Sequence, residues 1–151
     1  MRVSHRCEYA LRALLELAKR SQEGPVRIEE IARCQTIPRK FLANLLVHLK
    51  RGSFVQSKKG PEGGYYLARP ARQIHLGDVV RFLDGPIAPI QCVSRTLGEK
   101  CVMGGRCGYF PVWKRVRDAV ADIVDHTTIA DVLAEQQREE AASAQTLMYH
   151  I

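Results

Sequence analysis

The sequence predicts a mainly α-helical fold carrying one small β-hairpin, on three observations. Apolar residues recur at spacings of three and four through most of the chain, the period of helices buried on one face. Strand-like runs are confined to S-F-V-Q-S and Y-Y-L-A, which flank the turn-forming K-K-G-P-E-G-G. The helical pattern is interrupted by an aperiodic, glycine-rich stretch from Cys92 to Cys107, where three of the five cysteines fall within sixteen residues. A chain of 151 residues and 17.0 kDa can bury one core, or one small module with an appended helical element.

The first helix starts at the capping residue Ser4 and buries Cys7, Ala10, Leu11, Leu14, Leu17 and Ala18. Its opposite face carries Arg6, Glu8, Arg12, Glu16 and Lys19, and it stops before Glu23, Gly24 and Pro25. R-I-E-E-I-A-R-C makes a two-turn helix with Ile28, Ile31 and Ala32 inward and Cys34 packed at its end. After Q-T-I-P, a third helix spans 38–51, opened by Pro38 and ended by Gly52. Phe41, Leu42, Leu45, Leu46 and Leu49 form its buried stripe, leaving Arg39, Lys40, Ala43, Asn44, Val47 and His48 facing away. Two helices joined by a four-residue turn form a helix-turn-helix.

The hairpin that follows has a cationic tip and reads as a wing. Charge supports a polyanionic partner. Residues 1–72 hold 15 Lys and Arg against 6 Asp and Glu, whereas residues 73–151 hold 8 against 10, so the net charge of +7 is concentrated in the first half. In a module of this kind the helix over 38–51 enters the major groove of double-stranded DNA. Arg39 is the candidate reader of guanine, and Lys40, Asn44 and His48 line the same face. Lys58 and Lys59 reach phosphate, beside Gly63, Gly64 and Tyr65 of the wing.

Beyond the wing, A-R-P-A-R is a linker and L-G-D-V-V-R-F-L-D-G a helix with Leu76, Val79, Val80 and Leu83 inward, stopped by Gly85 and Pro86. Cys92, Cys101 and Cys107 form a candidate ligand loop for an iron–sulfur cluster or zinc, since thiolates must converge on the metal and glycines let the backbone turn around it. Pro111 then opens a long helix. Its broad stripe of Val112, Trp113, Val116, Ala119, Val120, Ile123 and Val124 suits a homodimer interface. Thr128 and Asp131 stand at capping-box spacing and start a last helix through Leu133. From Glu135 the chain turns polar. The expected organisation is a DNA-binding unit over 1–72, the cysteine loop and dimerisation helices over 73–135, and a disordered polar tail over 136–151.

The run I-P-R-K-F-L-A-N-L-L-V-H-L-K-R-G-S-F-V-Q-S-K-K-G-P-E-G-G-Y-Y-L-A, preceded by Y-A-L-R-A-L-L-E-L-A and followed by the cysteine loop, resembles the Rrf-two (Rrf2) family of winged-helix transcriptional regulators. The resemblance covers residues 1 to about 135. It implies a homodimer on a near-palindromic DNA operator and, in many members, a 2Fe-2S or 4Fe-4S cluster on three loop cysteines. The spacing here is C-x8-C-x5-C, where the commonest family pattern has five residues in both gaps. One branch completes its site with a histidine three residues after the last cysteine, and this chain has Phe110 there. In another, a carboxylate from the first helix of the partner subunit reaches the cluster. Glu8 matches that position, with Cys7 beside it as a second candidate.

The reading is therefore a DNA-binding repressor or other transcriptional regulator controlled by an iron–sulfur cluster. A cofactor-free or zinc-bound thiol-redox repressor of the same fold is the alternative. An enzyme is not expected: there is no C-x-x-C for a thiol oxidoreductase, no phosphate-binding glycine loop and no H-E-x-x-H. An odd number of cysteines argues for metal or redox chemistry over a disulfide framework. No run approaches the roughly 18 apolar residues of a membrane span, and M-R-V-S-H-R-C-E-Y-A lacks a signal-peptide hydrophobic region. A cytoplasmic location without a membrane partner is expected.

Overall fold

In the computed structural model the described residues are 3–96, 103 and 106–148. Six helices and one two-stranded antiparallel sheet occur among them. Helix α1 (His5–Lys19) is capped as its sequence predicts, the Ser4 hydroxyl accepting from the Cys7 N–H at 3.1 Å. Helix α2 (Ile28–Gln35) ends on Thr36 in the left-handed region, φ 52°, and Pro38 caps α3 (Arg39–Arg51). These are the two helices of the helix-turn-helix.

Strands β1 (Val55–Lys58) and β2 (Gly64–Leu67) form the hairpin, with Val55 opposite Leu67 and Ser57 opposite Tyr65. Its outer edge is sealed by the linker between α1 and α2: Val26 and Tyr65 exchange both backbone hydrogen bonds at 2.8 Å. This contact explains the paired glycines. A Cβ on Gly64 would stand 2.5 Å from the Val26 carbonyl oxygen, and one on Gly63 would stand 2.5 Å from that of Lys58.

Helix α4 (Leu76–Asp84) leads to the cysteine loop, and α5 (Phe110–His126) and α6 (Ile129–Met148) follow it. The chain entering α4 pairs with the chain entering α6, Leu76 N–H donating to Thr127 and Ile129 N–H to Ile74, both at 2.9 Å. The main core consequently crosses the expected boundary at residue 72. Leu14 and Leu17 of α1, Ile31 of α2 and Leu42, Leu46 and Leu49 of α3 pack with Ile74, Val79 and Ile129. The capping box also forms: Asp131 accepts from the Thr128 N–H at 2.9 Å, and Thr128 accepts from the Asp131 N–H at 3.2 Å.

Four expectations need correction. The last helix does not stop near Leu133 but runs to Met148, so the tail over 136–148 is helical. Its Ala, Glu, Gln and Arg content favours helix despite its polarity. Pairs within it, such as Gln136 Nε2 to Glu140 Oε1 at 2.7 Å, and the 3.8 Å ion pair from Glu140 to Lys19 of α1, give its polar side chains partners. Glu16, expected outside, is buried, its carboxylate accepting from Gln35 Nε2 at 2.8 Å. Cys34 is exposed, and Ile37 occupies the core beside α2 in its place. Phe41 is 41% exposed, its ring edge against Tyr9 with centroids 5.5 Å apart.

Replacing Gly64 by Ala forces the hairpin away from Val26 and is expected to destabilise the fold by about 1–3 kcal/mol, the usual range for overpacking. Gly108→Ala, whose added methyl group meets open space, is the matched control and leaves stability near wild type. Urea unfolding at neutral pH compares the two variants; equal midpoints would remove the close approach as the reason for the glycine.

Candidate nucleic-acid interface and thiol site

The cations of the helix-turn-helix and wing stand on the surface. Arg39 opens α3 with its side chain turned back onto α2, where Nε and Nη2 both reach Glu29 Oε1 at 2.8 Å. Glu29 is held below the ordinary carboxylate value by a bond to its own backbone N–H and then by Arg39. Lys40 and Asn44 are exposed on the same helix. His48 is half-buried against Phe82, ring centroids 5.2 Å apart, and its pKa is lowered by desolvation and then by Arg6 and Arg51. Arg6 of α1 joins Phe41, Asn44, Leu45 and His48 around one groove.

At the wing, Lys58 and Lys59 are exposed. Arg27, not singled out by the sequence, reaches the wing tip, Nη2 donating to the Pro61 carbonyl at 2.7 Å. Gly63 and Gly64 have the steric reasons given above. Tyr65 packs against the main core, while Tyr66 faces outward and donates from its hydroxyl to Gln56 Oε1 at 3.0 Å. The exposed aromatic of the wing is thus the neighbour of the residue expected.

The described thiols fall into three environments, with Cys34 exposed. Cys92, in a short 3₁₀ turn over Gln91–Val93, and Cys107, whose carbonyl accepts from the Phe110 N–H at 3.2 Å, are both half-buried. Cys101 lies outside the described residues. Among the described residues no group of three or more His, Cys, Asp or Glu side chains is close enough to hold a metal ion. The donor chemistry of Cys92 and Cys107 nevertheless fits iron–sulfur or zinc ligation, since both are partly open to solvent at the two ends of the loop. Cys7 differs from them: its thiol is fully buried and pushed up to about 11 by burial, then by the charge and hydrogen bond of Asp84, so it is not an open donor in this structure. Glu8 is exposed on α1 between His5 at 3.3 Å and Arg12 at 3.7 Å.

Residues 3–135 match the family model of Rrf2, described as an iron-dependent transcriptional regulator. The chain belongs to this family. The cysteine regulator CymR of Bacillus subtilis is 32% identical over 142 residues, 94% of this chain and 96% of CymR. Its solved structure, described as that of the global cysteine regulator, superposes with a TM-score of 0.74 over 89% of this chain and 98% of that one. IscR of Pectobacterium carotovorum is 31% identical over 145 residues, 96% of this chain and 87% of the relative. The structure of T. potens IscR gives a TM-score of 0.72 at 30% identity over 90% of this chain and 88% of that chain.

In this Rrf2 family chain the apolar stripe of α5 is divided. Val112, Trp113, Val116 and Ile123 are exposed, Ile123 by 66%, whereas Val120 and Val124 pack onto a small second core of Cys7, Val80 and Ile87. The buried residues of α5 include an arginine that apolar periodicity could not flag, Arg117. Asp118 beside it collects Lys114, Arg117 and Arg95, and these bonds hold its carboxyl well below the usual range.

Alkylation of the reduced, metal-free protein with iodoacetamide near pH 8, read peptide by peptide in a mass spectrometer, is expected to modify Cys34 first and Cys7 last among the four described cysteines. A thiol with a pKa of about 11 presents roughly one thiolate in a thousand at that pH, besides being sealed from solvent. Early modification of Cys7 would contradict its burial.

Proposed function

We propose that this Rrf2 family transcriptional regulator binds a near-palindromic double-stranded operator as a homodimer, and that its operator affinity is set by an iron–sulfur cluster held at the cysteine loop. The observation that carries the reading is the combination of an exposed basic helix-turn-helix and wing with two half-buried thiols at the two ends of the loop between α4 and α5. Cys92, Cys101 and Cys107 would supply three thiolates, and Glu8 of the partner subunit the fourth ligand. A cluster of this kind supplies iron that exchanges electrons and its weaker ligands. The exposed Val112, Trp113, Val116 and Ile123, continued by the half-buried Val120 and Val124, would form the seam between protomers. Similarity to relatives named as regulators supports the DNA reading and argues against an enzyme.

In this proposal Arg39 reads guanine through the nitrogen edge not occupied by Glu29, and Lys40, Asn44 and His48 extend the same surface. Lys58 and Lys59 face phosphate, Gly63 and Gly64 shape the wing that carries them, and Tyr65 acts by setting the wing on the core rather than by direct contact. A second reading, thiol-redox control with zinc or no metal, is favoured by the similarity to CymR, named for cysteine regulation, and by the exposed Cys34.

Arg39→Ala is expected to relax base preference at one position of each half-site at a cost of about 1–3 kcal/mol. Lys59→Ala is expected to weaken all sequences alike and to lower the salt slope by about 1. Operator titrations across a salt series check both, and wild-type behaviour in both variants would overturn the assignment of contacts.

Anaerobically reconstituted wild type is expected to contain iron and sulfide and to absorb visible light, and Cys92→Ala, Cys101→Ala and Cys107→Ala are each expected to lose them. Operator affinity of cluster-loaded and cluster-free dimers should differ about 5- to 150-fold, the span of a 1–3 kcal/mol coupling. A colourless wild type whose affinity responds to a thiol oxidant selects the second reading.

A further inference from the structure

The buried arginine of α5 has no part in the seam or the DNA surface, and its geometry gives it another one. Arg117 is 9% exposed, and an apolar residue there would complete the buried face that Ala121 continues one turn later. Burying a guanidinium is costly unless each of its nitrogens finds a partner. Here Nη1 donates to the Val93 carbonyl at 2.5 Å, while Nε and Nη2 donate to Asp118 Oδ1 at 2.9 and 2.5 Å. Asp118 also accepts from Arg95 Nη2 at 3.0 Å and from Lys114 Nζ at 2.9 Å. The main chain of Val93 and the side chain of Arg95, both just beyond Cys92, therefore return to a single turn of α5. Val93 is itself buried. Of the charge-assisted bonds in this cluster, the one to Val93 carries direction information about the loop, because a carbonyl has a fixed place in its peptide plane.

We propose that Arg117, charge-balanced by Asp118 and reinforced by Arg95, is the positioning residue of the cysteine loop, locking the backbone beside Cys92 onto α5 so that this thiol is held in one orientation before any ligand arrives. The inference rests on the reading of Cys92 as a sensing thiol. It assigns a role to a side chain outside the proposed ligand set and the proposed DNA surface. It also makes α5 the element that feels a change at Cys92, since Arg117 lies on the same helix as the exposed Val116 and the half-buried Val120.

The test is pulsed iodoacetamide labelling of the full-length, reduced, metal-free protein, with Cys34 and Cys107 as internal references. Arg117→Met keeps the stem and removes the bonds. It is expected to raise the Cys92 labelling rate about tenfold, through local opening of the segment, while Cys34 is unchanged and Cys107 moves much less. Arg117→Lys, which can still donate to the Val93 carbonyl, should return most of the protection. Unchanged Cys92 labelling in Arg117→Met with wild-type circular dichroism overturns the proposal, as does a parallel rise at all three cysteines, which marks general loosening. Should Arg117→Met fail to fold, the exposed Arg95→Gln decides the matter: a smaller rise confined to Cys92 supports the clamp, and no rise overturns it. Iron and sulfide content of reconstituted wild type separates the two layers. A protein that takes up no cluster, yet frees Cys92 in Arg117→Met, keeps the clamp and loses the cluster. One that loads its cluster, yet labels alike in both forms, loses the clamp alone.

Discussion

Burial of α1 is the constraint on which the remaining structure depends. Ala10, Ala13 and Leu14 are sealed from solvent, and α2, α3, α4, α6 and β2 all pack against this one helix. Its small residues, Ala10, Ala13 and Ala18, let neighbouring elements approach closely, while Leu14 and Leu17 fill the space between them. Helix α3 is one of those neighbours, so its orientation is set by the same side chains that seat α4 and α6. A larger residue at an alanine of this face would displace several elements together, because a close-packed interior has little compressibility and transmits strain.

Polar bonds then tie the ends of the helices to that hub. Ser4 caps α1 and also donates from its N–H and hydroxyl to Asp84, at 2.8 and 2.5 Å, joining the start of α1 to the end of α4. Arg81 of α4 holds Asp125 of α5 through two bonds of 2.6 and 2.8 Å, which lower the Asp125 pKa. The Asp84 carboxylate lies beside the Cys7 thiol and helps keep it protonated. The same residue thus fixes a helix junction and makes the buried cysteine chemically quiet, which separates Cys7 from the partly open thiols of the loop.

Elements whose signal is local were legible in the sequence. The Ser4 cap, the Thr128–Asp131 box and the leucine stripe of α3 each need only a few neighbouring residues, and the short hairpin is announced by its turn. What could not be read depends on partners far along the chain. Glu16 is inside because Gln35 meets its carboxylate, and Gly64 is a glycine because Val26 passes 2.5 Å from where its Cβ would be. The extension of α6 is hidden for a different reason: its polarity reads as disorder, although the residues concerned are strong helix formers with partners on their own helix and on α1. At the site, the exposed cations of α3 and the wing followed from the pattern. The Arg39–Glu29 pair, the reach of Arg27 to Pro61 and the buried Arg117 did not, because an arginine's partner is a matter of tertiary approach rather than of period.

A run of these bonds joins the segment beside Cys92 to the helix that shares its core with α3. Val93 is held by Arg117 of α5, α5 by Arg81 of α4 through Asp125, and α4 by the start of α1 through Asp84. Helix α1 shares its core with α3. A chain of contacts alone does not amount to coupling, since an effector shifts a population only by the difference in its interaction with the two arrangements. What the chain of bonds contributes is stiffness at its weakest places, the helix ends, where charge-assisted hydrogen bonds resist small displacements better than apolar contact does. These bonds tie Val93 to α5, α5 to α4 and α4 to the start of α1, while Val112, Trp113, Val116 and Ile123 of α5 stay exposed within the protomer.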